Sequence, residues 1–264
     1  DEDMADTFFE KAKSYILSRK DHPFFLYYAM HEPHVPRTPH PRFAGATDMG
    51  ARGDVIVEAD AMIGELIKTL EEEGLAENTL IIFSSDNGPV INDGYKDESV
   101  ERLGDHTPWG PFRGGKYSLF EAGTRVPFMT YWPGTITPKV SEAMISQVDL
   151  FASLADLAGH NQKYPEKDSK DLLDVLLGKS DVGRDELILE ATTRTAYRQG
   201  DWAMIPPYKG PAVNLAVNIE LGNSEEYLLY NLNEDPGQKN NLAQKMPDKL
   251  EEMIQNYERI RGTE

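Results

Sequence analysis

The sequence predicts an α/β protein, with a mostly parallel sheet flanked by helices and then a small antiparallel α+β subdomain. Three observations predict it. Over residues 1–160, apolar runs of strand length alternate with helical patterns, the mark of a largely parallel sheet covered on both faces. Beyond 160 the apolar runs become short and are separated by Gly and Asp turns. An amphipathic stretch over 246–260 then closes the chain as a helix. The expected division is therefore 1–160 for the main domain and 161–264 for the subdomain.

The elements follow in order. A helix is expected over 4–19, with Asp3 or Asp6 placed to cap it and Phe8, Phe9, Ala12, Tyr15, Ile16 and Leu17 as its apolar stripe. Residues 23–29, Pro-Phe-Phe-Leu-Tyr-Tyr-Ala, read as a strand. A proline-rich loop over 31–53 leads to a second helix over 54–73. Ala59, Met62, Ile63, Leu66 and Leu70 fall at helical spacing there, and Gly74 stops it. A strand over 79–84, a long loop over 85–122, a strand over 126–132 and a helix over 143–158 complete the first part. In the second, 187–189, 194–198, 202–205 and 227–232 are the strand candidates.

Bulk properties narrow the function. At 264 residues the chain has ample material for a buried core. A net charge of −18 argues against nucleic acid as a partner, because proteins that neutralise phosphate backbones carry the opposite sign. An acidic surface also repels anionic substrates, so a sulfate or phosphate site requires locally clustered cations and a metal. The absence of cysteine excludes disulfides, zinc–thiolate sites and a cysteine nucleophile within these residues. No apolar run approaches the roughly 20 residues of a membrane span.

Four segments carry candidate chemistry. The strand over 79–84 ends in Asp86-Asn87-Gly88, at the sheet edge where open α/β folds place ligands. A carboxylate beside an amide oxygen suits Ca²⁺ or Mg²⁺, although Asn-Gly is also the strongest hairpin-turn signal. Arg113-Gly114-Gly115-Lys116 offers a flexible backbone that can approach an anion and a point charge to bind it. The spacing from Gly110 to Lys116 approaches that of a phosphate-binding loop, but Tyr117 stands where the metal-binding hydroxyl belongs and no buried strand precedes it. His31 and His34 follow the strand over 23–29, as metal ligands, acid/base groups or part of an ordinary surface loop. His106 and Trp109 lie between the other groups, and the indole is either a platform for a sugar or aryl ring or a core residue of its loop.

In order, Phe24-Phe25-Leu26-Tyr27-Tyr28-Ala29 with His34 and Pro36, Ile82-Phe83 with Asp86-Asn87-Gly88, and Gly115-Lys116 with Glu121, Gly123 and Arg125-Val126-Pro127 resemble the sulfatase family. Arylsulfatases and bacterial polysaccharide sulfatases are the nearest in kind. Leu229-Tyr230-Asn231-Leu232 with Asp235-Pro236 and Asn240-Asn241-Leu242-Ala243 looks like that family's C-terminal signature, so the resemblance covers nearly the whole chain.

The resemblance implies an alkaline-phosphatase-like fold and a sulfuric-ester hydrolase. It implies Asp86 and Asn87 as two Ca²⁺ ligands and Lys116 as the cation on the sulfate oxygens. His34 would contact the sulfate or assist the departing alcohol, and His31, His106 and Trp109 would line the substrate. A sulfated small molecule or carbohydrate, met in the periplasm or outside the cell, is the implied substrate. Sulfatases also carry an N-terminal pair of aspartates and a Cys- or Ser-x-Pro-x-Arg motif that matures to the formylglycine nucleophile. Neither version of that motif occurs here. The chain is therefore expected to be the C-terminal portion of a sulfatase, inactive alone and prone to self-association through an exposed sheet edge. Two other readings stand beside this one. A phosphomonoesterase or phosphodiesterase of the same superfamily would need a second metal, which Asn87 and the Gly-Gly-Lys loop disfavour. A non-catalytic glycan-binding remnant would bind sulfated glycan independently of Ca²⁺.

Overall fold

The computed structural model describes residues 1–160 and 168–262. The division expected at 160–161 adjoins residues outside that range. The chain forms two compact units, one of Asp1–Ile81 and Val90–Pro108 and the other of Ile82–Pro89 and Trp109–Glu264. No helix among the described residues is long and apolar enough to cross a membrane.

The first unit is built on α1 (Met4–Arg19) and α2 (Gly50–Glu72). Helix α1 buries Ala5, Phe9, Ala12 and Ile16, a single stripe at helical spacing. Phe8, Tyr15 and Leu17 lie outside it, each more than a third exposed. Neither aspartate caps the helix. Asp3 occupies the N-cap position without a side-chain hydrogen bond, and the Asp6 carboxylate is taken by the Arg42 guanidinium. Helix α2 starts at Gly50, ahead of the expected 54, because the Asp54 carboxylate reaches back to the loop before it. It accepts the Gly45 N–H at 2.8 Å and the Thr47 N–H at 2.9 Å. At the far end Gly74 turns left-handed at φ +69, and the Leu75 N–H closes on the Leu70 carbonyl at 2.8 Å. Ile16, Leu70 and Ala76 then pack with Phe24, Leu26, Leu66, Leu75 and Ile81.

The strand expected over 23–29 is not formed. Burial does alternate, with Phe24, Leu26 and Tyr28 partly buried while Phe25 and Tyr27 are 72% and 81% exposed. Period-two burial alone makes no ladder, however, and among the described residues no strand pairs with this segment.

Strand β1 (Ile81–Ser84), in the second unit from Ile82 on, pairs with β2 (Phe128–Tyr131) in a two-stranded sheet. Helix α3 (Asp149–Leu157) begins later than the expected 143. The Met144 carbonyl instead accepts the Arg184 N–H, and Asp149 is held by the Arg184 guanidinium. After the short α4 (Leu173–Leu176) come β3 (Glu186–Ala191), β4 (Arg194–Gln199), β5 (Trp202–Ile205) and β8 (Leu228–Asn231). They form an antiparallel sheet in the order β3-β4-β5-β8, as the short-strand pattern predicts. Strands β6 (Val213–Asn214) and β7 (Ile219–Glu220) make a separate ribbon, and α5 (Pro247–Arg261) closes the unit.

Alternation along these strands gives the four-stranded sheet two buried faces. Tyr197, Met204 and Leu229 pack with Met253 and Tyr257 of α5. Ala196, Ala203, Ile205 and Tyr230 pack on the other side with Leu119 and Phe120. The segment after Lys116 is thus part of the sheet's core. Leu229 is fully buried between the sheet and α5. Leu229→Ala should lower unfolding free energy by about 3 kcal/mol, as removing a buried leucine side chain leaves a cavity. Chemical denaturation measures it, and a loss under about 1 kcal/mol would contradict this placement.

Candidate functional site

The second unit contains Asp86, Asn87, Trp109 and Lys116, and the first contains His31, His34 and His106.

Strand β1 ends at Ser84, and the following turn is tied from both sides. The Ser85 hydroxyl donates to the Asn87 carbonyl at 3.1 Å. The Gln147 side-chain amide donates to the Ser85 carbonyl at 2.5 Å and the Ser84 hydroxyl at 3.0 Å. Asp86 is exposed, and its carboxylate has no hydrogen bond or ion pair among the described residues. The Asn87 Nδ2 donates to the Gly88 carbonyl at 2.9 Å, which leaves Oδ1 as an acceptor. The hairpin alternative fails, since the partner of β1 is β2 and not residues 89–94.

Gly88 is there for space. Its N–H donates to the Gly123 carbonyl at 2.9 Å, and any Cβ would overlap the Ala122 carbonyl oxygen. One residue further, the Pro89 carbonyl accepts the Lys116 N–H at 3.0 Å, and a Cβ on Gly115 would sit 2.5 Å from that carbonyl oxygen. A Cβ on Gly123 would overlap the Ser118 carbonyl. Backbone therefore lies on backbone from the strand end to the lysine loop, and this brings Asp86-Asn87 and Lys116 into one local structure. Tyr117, next to the lysine, holds φ at +75, a left-handed conformation that is strained for a bulky residue. The Lys116 ammonium lies 5.6 Å from that ring's centroid and makes no ion pair among the described residues. Trp109 is half-buried, and its carbonyl accepts the Phe112 N–H at 3.2 Å.

In the first unit, His31 and His34 share one turn, with the His34 N–H donating to the His31 carbonyl at 2.9 Å. His34 Nδ1 is 2.7 Å from the Val35 carbonyl. A carbonyl only accepts, so Nδ1 carries the proton and Nε2 of the neutral ring presents a lone pair. His31 Nδ1 stands 2.9 Å from Glu32 Oε1, off the line of a hydrogen bond, and its ring meets Phe8 edge-on. His106 is exposed on a separate turn, and no ring contact or hydrogen bond joins it to either histidine among the described residues.

Arg37 holds the histidine loop, a role that sequence reading missed. It is buried and donates to the Pro33 carbonyl at 3.0 Å, Asp97 Oδ2 at 2.6 Å, the Ser99 hydroxyl at 2.9 Å and the Val90 carbonyl at 3.3 Å. Burial pushes the Asp97 carboxyl up, but hydrogen bonds from Ser99 and Arg37 outweigh it and hold the group below the usual carboxylate range. Arg52 is also buried, and burial beside Arg37 pulls its guanidinium down to about 10.

The second unit offers two hard-oxygen donors and a cation on a strained loop, and the first, taken by itself, offers an oriented imidazole. As cation ligands, Asp86 and Asn87 match the chemistry of Ca²⁺. Two donors do not close a coordination shell, and no cluster of three or more metal-binding side chains occurs among the described residues.

The Sulfatase family model matches residues 1–160. The N-acetylgalactosamine-6-O-sulfatase of Bacteroides thetaiotaomicron is 47% identical, covering 99% of this chain and 52% of that protein. Human arylsulfatase A is 33% identical, covering 90% and 48%. A solved structure concerned with glycosaminoglycan metabolism by B. thetaiotaomicron superposes with a TM-score of 0.96 at 45% identity, covering 99% of this chain and 55% of that one. The PsFucS1 sulfatase from Pseudoalteromonas sp. gives 0.83 at 26%, covering 99% and 53%. The chain belongs to the sulfatase family and has its alkaline-phosphatase-like fold. It spans about half the length of the curated relatives it matches.

Two outcomes follow from this geometry. Gly88→Ala should cost about 3 kcal/mol or more in thermal or chemical unfolding, because backbone rather than a flexible side chain blocks the new methyl. An unchanged melting curve would contradict the close approach. The Asp97 pKa is lower folded than unfolded, so its stabilisation is complete above the ordinary value of 3.8 and is lost as pH falls through the folded value. Asp97→Asn should therefore be less stable than wild type at about pH 6, with the gap closing toward about pH 2. A gap that does not change with pH would contradict the Arg37–Asp97 pairing.

Proposed function

We propose that this chain supplies part of the active site of a sulfuric-ester hydrolase acting on a carbohydrate sulfate. One observation carries the reading: in a chain of the sulfatase family, Asp86-Asn87 and Lys116 are joined by the Gly88–Gly123 and Pro89–Lys116 backbone bonds. Lys116 donates to the sulfate oxygens and stabilises the charge that grows on them and on the leaving oxygen, where a preorganised cation has most effect. His34, protonated at Nδ1 in its neutral form, is the group for the sulfate or the departing alcohol. His31, His106 and Trp109 are assigned to substrate. Asp86 and Asn87 contribute two ligands to Ca²⁺, which when bound supplies positive charge for the sulfate oxygens.

The nucleophile is assigned to a formylglycine outside these 264 residues, which contain neither cysteine nor Ser-x-Pro-x-Arg. The names of the relatives favour a sulfated amino sugar, with the 6-O-sulfate of N-acetylgalactosamine first among candidates. A periplasmic or extracellular site of action accords with such a substrate. In the protein that joins this chain to its nucleophile segment, N-acetylgalactosamine 6-sulfate should be hydrolysed and an aryl phosphate should not. Lys116→Ala should lower kcat by about 10²–10³-fold. Preference for the phosphate ester, or full activity without Lys116, would sink the reading. The 264-residue chain alone should give no turnover.

A further inference from the structure

We propose that Gln238 is a positioning residue that holds the Lys116 loop in its working geometry. This rests on the sulfatase reading above only for its consequence in catalysis, because the clamp itself is a matter of contacts. Gln238 is 1% exposed and lies in the turn after β8, held in a left-handed conformation at φ +48. That turn is preformed. The Asp235 N–H donates to Asn231 at the end of β8, the Gln238 N–H donates to the Asp235 carbonyl at 3.0 Å, and Asp235 Oδ2 accepts the N–H groups of Lys239 and Asn240 at 2.7 Å each.

From there Gln238 makes two contacts with the loop. Its side-chain Oε1 accepts the Glu121 N–H at 2.7 Å, and its main-chain carbonyl accepts Arg113 Nη1 at 2.7 Å. Both partners flank Lys116. Glu121 opens the single helical turn Glu121–Gly123, whose last carbonyl receives the Gly88 N–H. The Arg113 carbonyl accepts the Ala122 N–H at 2.9 Å, so the two ends of the loop are bound to one another as well as to Gln238. Arg113 is fixed in turn by a two-pronged pair with Glu220, at 2.7 and 2.5 Å, and by stacking 4.1 Å from the Phe120 centroid. Glu121 is fixed by Arg198 of β4 and by Arg125. A chain of buried contacts thus runs from the end of β8, through one glutamine, to the turn that carries Gly88 and Lys116. The Glu121 N–H is buried with its residue, so losing Oε1 leaves it without its acceptor.

Amide hydrogen exchange on the 264-residue chain tests this with two variants. Gln238→Leu keeps the size and removes the acceptor, whereas Gln238→Glu keeps a side-chain oxygen in place. Exchange at Glu121, Gly88 and Lys116 should accelerate about tenfold or more in the leucine variant and return toward wild type in the glutamate variant, with β4, β5 and α5 unchanged. No acceleration, or an equal one across the sheet and α5, would overturn the proposal. In wild type at low denaturant the same three amides should open as one group, and separate opening would also overturn it. In the protein that includes the nucleophile segment, the leucine variant should lose about tenfold or more in kcat, restored by glutamate. Unchanged kcat beside faster exchange would refute the catalytic role. A wild-type protein without sulfatase activity would instead refute the functional reading and leave the clamp standing.

Discussion

The site depends on backbone lying directly on backbone where β1 ends. Gly88, Gly115 and Gly123 each face a carbonyl oxygen at a distance that leaves no room for a Cβ, and two N–H···O bonds cross the contact. Such an approach converts a strand end and a glycine loop into one rigid piece. Under the proposed function its value for chemistry is electrostatic. The Asp86 carboxylate, without an ion pair among the described residues, and the Lys116 ammonium are attached to backbone held by these contacts, so on that reading little reorganisation would be needed to present them to a cation and an anion.

The rest of the second unit supports that contact. Phe120 and Leu119 belong to the core of the antiparallel sheet, and Phe120 meets Tyr230 of β8 edge-on at 6.2 Å. The C-terminal signature is therefore a brace for the lysine loop as well as a fold element. In the first unit Arg37 has the corresponding role for the histidine loop, with a buried guanidinium satisfying groups on three separate stretches of chain.

What the sequence revealed follows the range of the interactions involved. Strands β4, β5 and β8 and helix α5 fall within a residue or two of their expected bounds, because period-two alternation and turn residues are local signals. The strand over 23–29 shows the limit, since its alternation predicts which side chains are buried and says nothing of a pairing partner. Asp6 failed as a cap for a similar reason: Arg42, thirty-six positions away, competes for the carboxylate. Asp86, Asn87 and Lys116 are proposed from residue type and order, and what the structure adds is that the segments carrying them are joined. Arg37, Gln147 and Gln238 were not legible in the sequence. Gln238 acts across 117 positions and Arg37 across 60, and a glutamine or arginine in a polar loop carries no local mark of such a partner.

The most direct test of the joined half-site is a crystal structure of the protein grown with Ca²⁺ and inorganic sulfate. The cation should be ligated by a carboxylate oxygen of Asp86 and the amide oxygen of Asn87, at about 2.3–2.6 Å, with the sulfate within hydrogen-bonding reach of Lys116 Nζ. A cation bound without Asp86 and Asn87, or a sulfate bound away from Lys116, would contradict it.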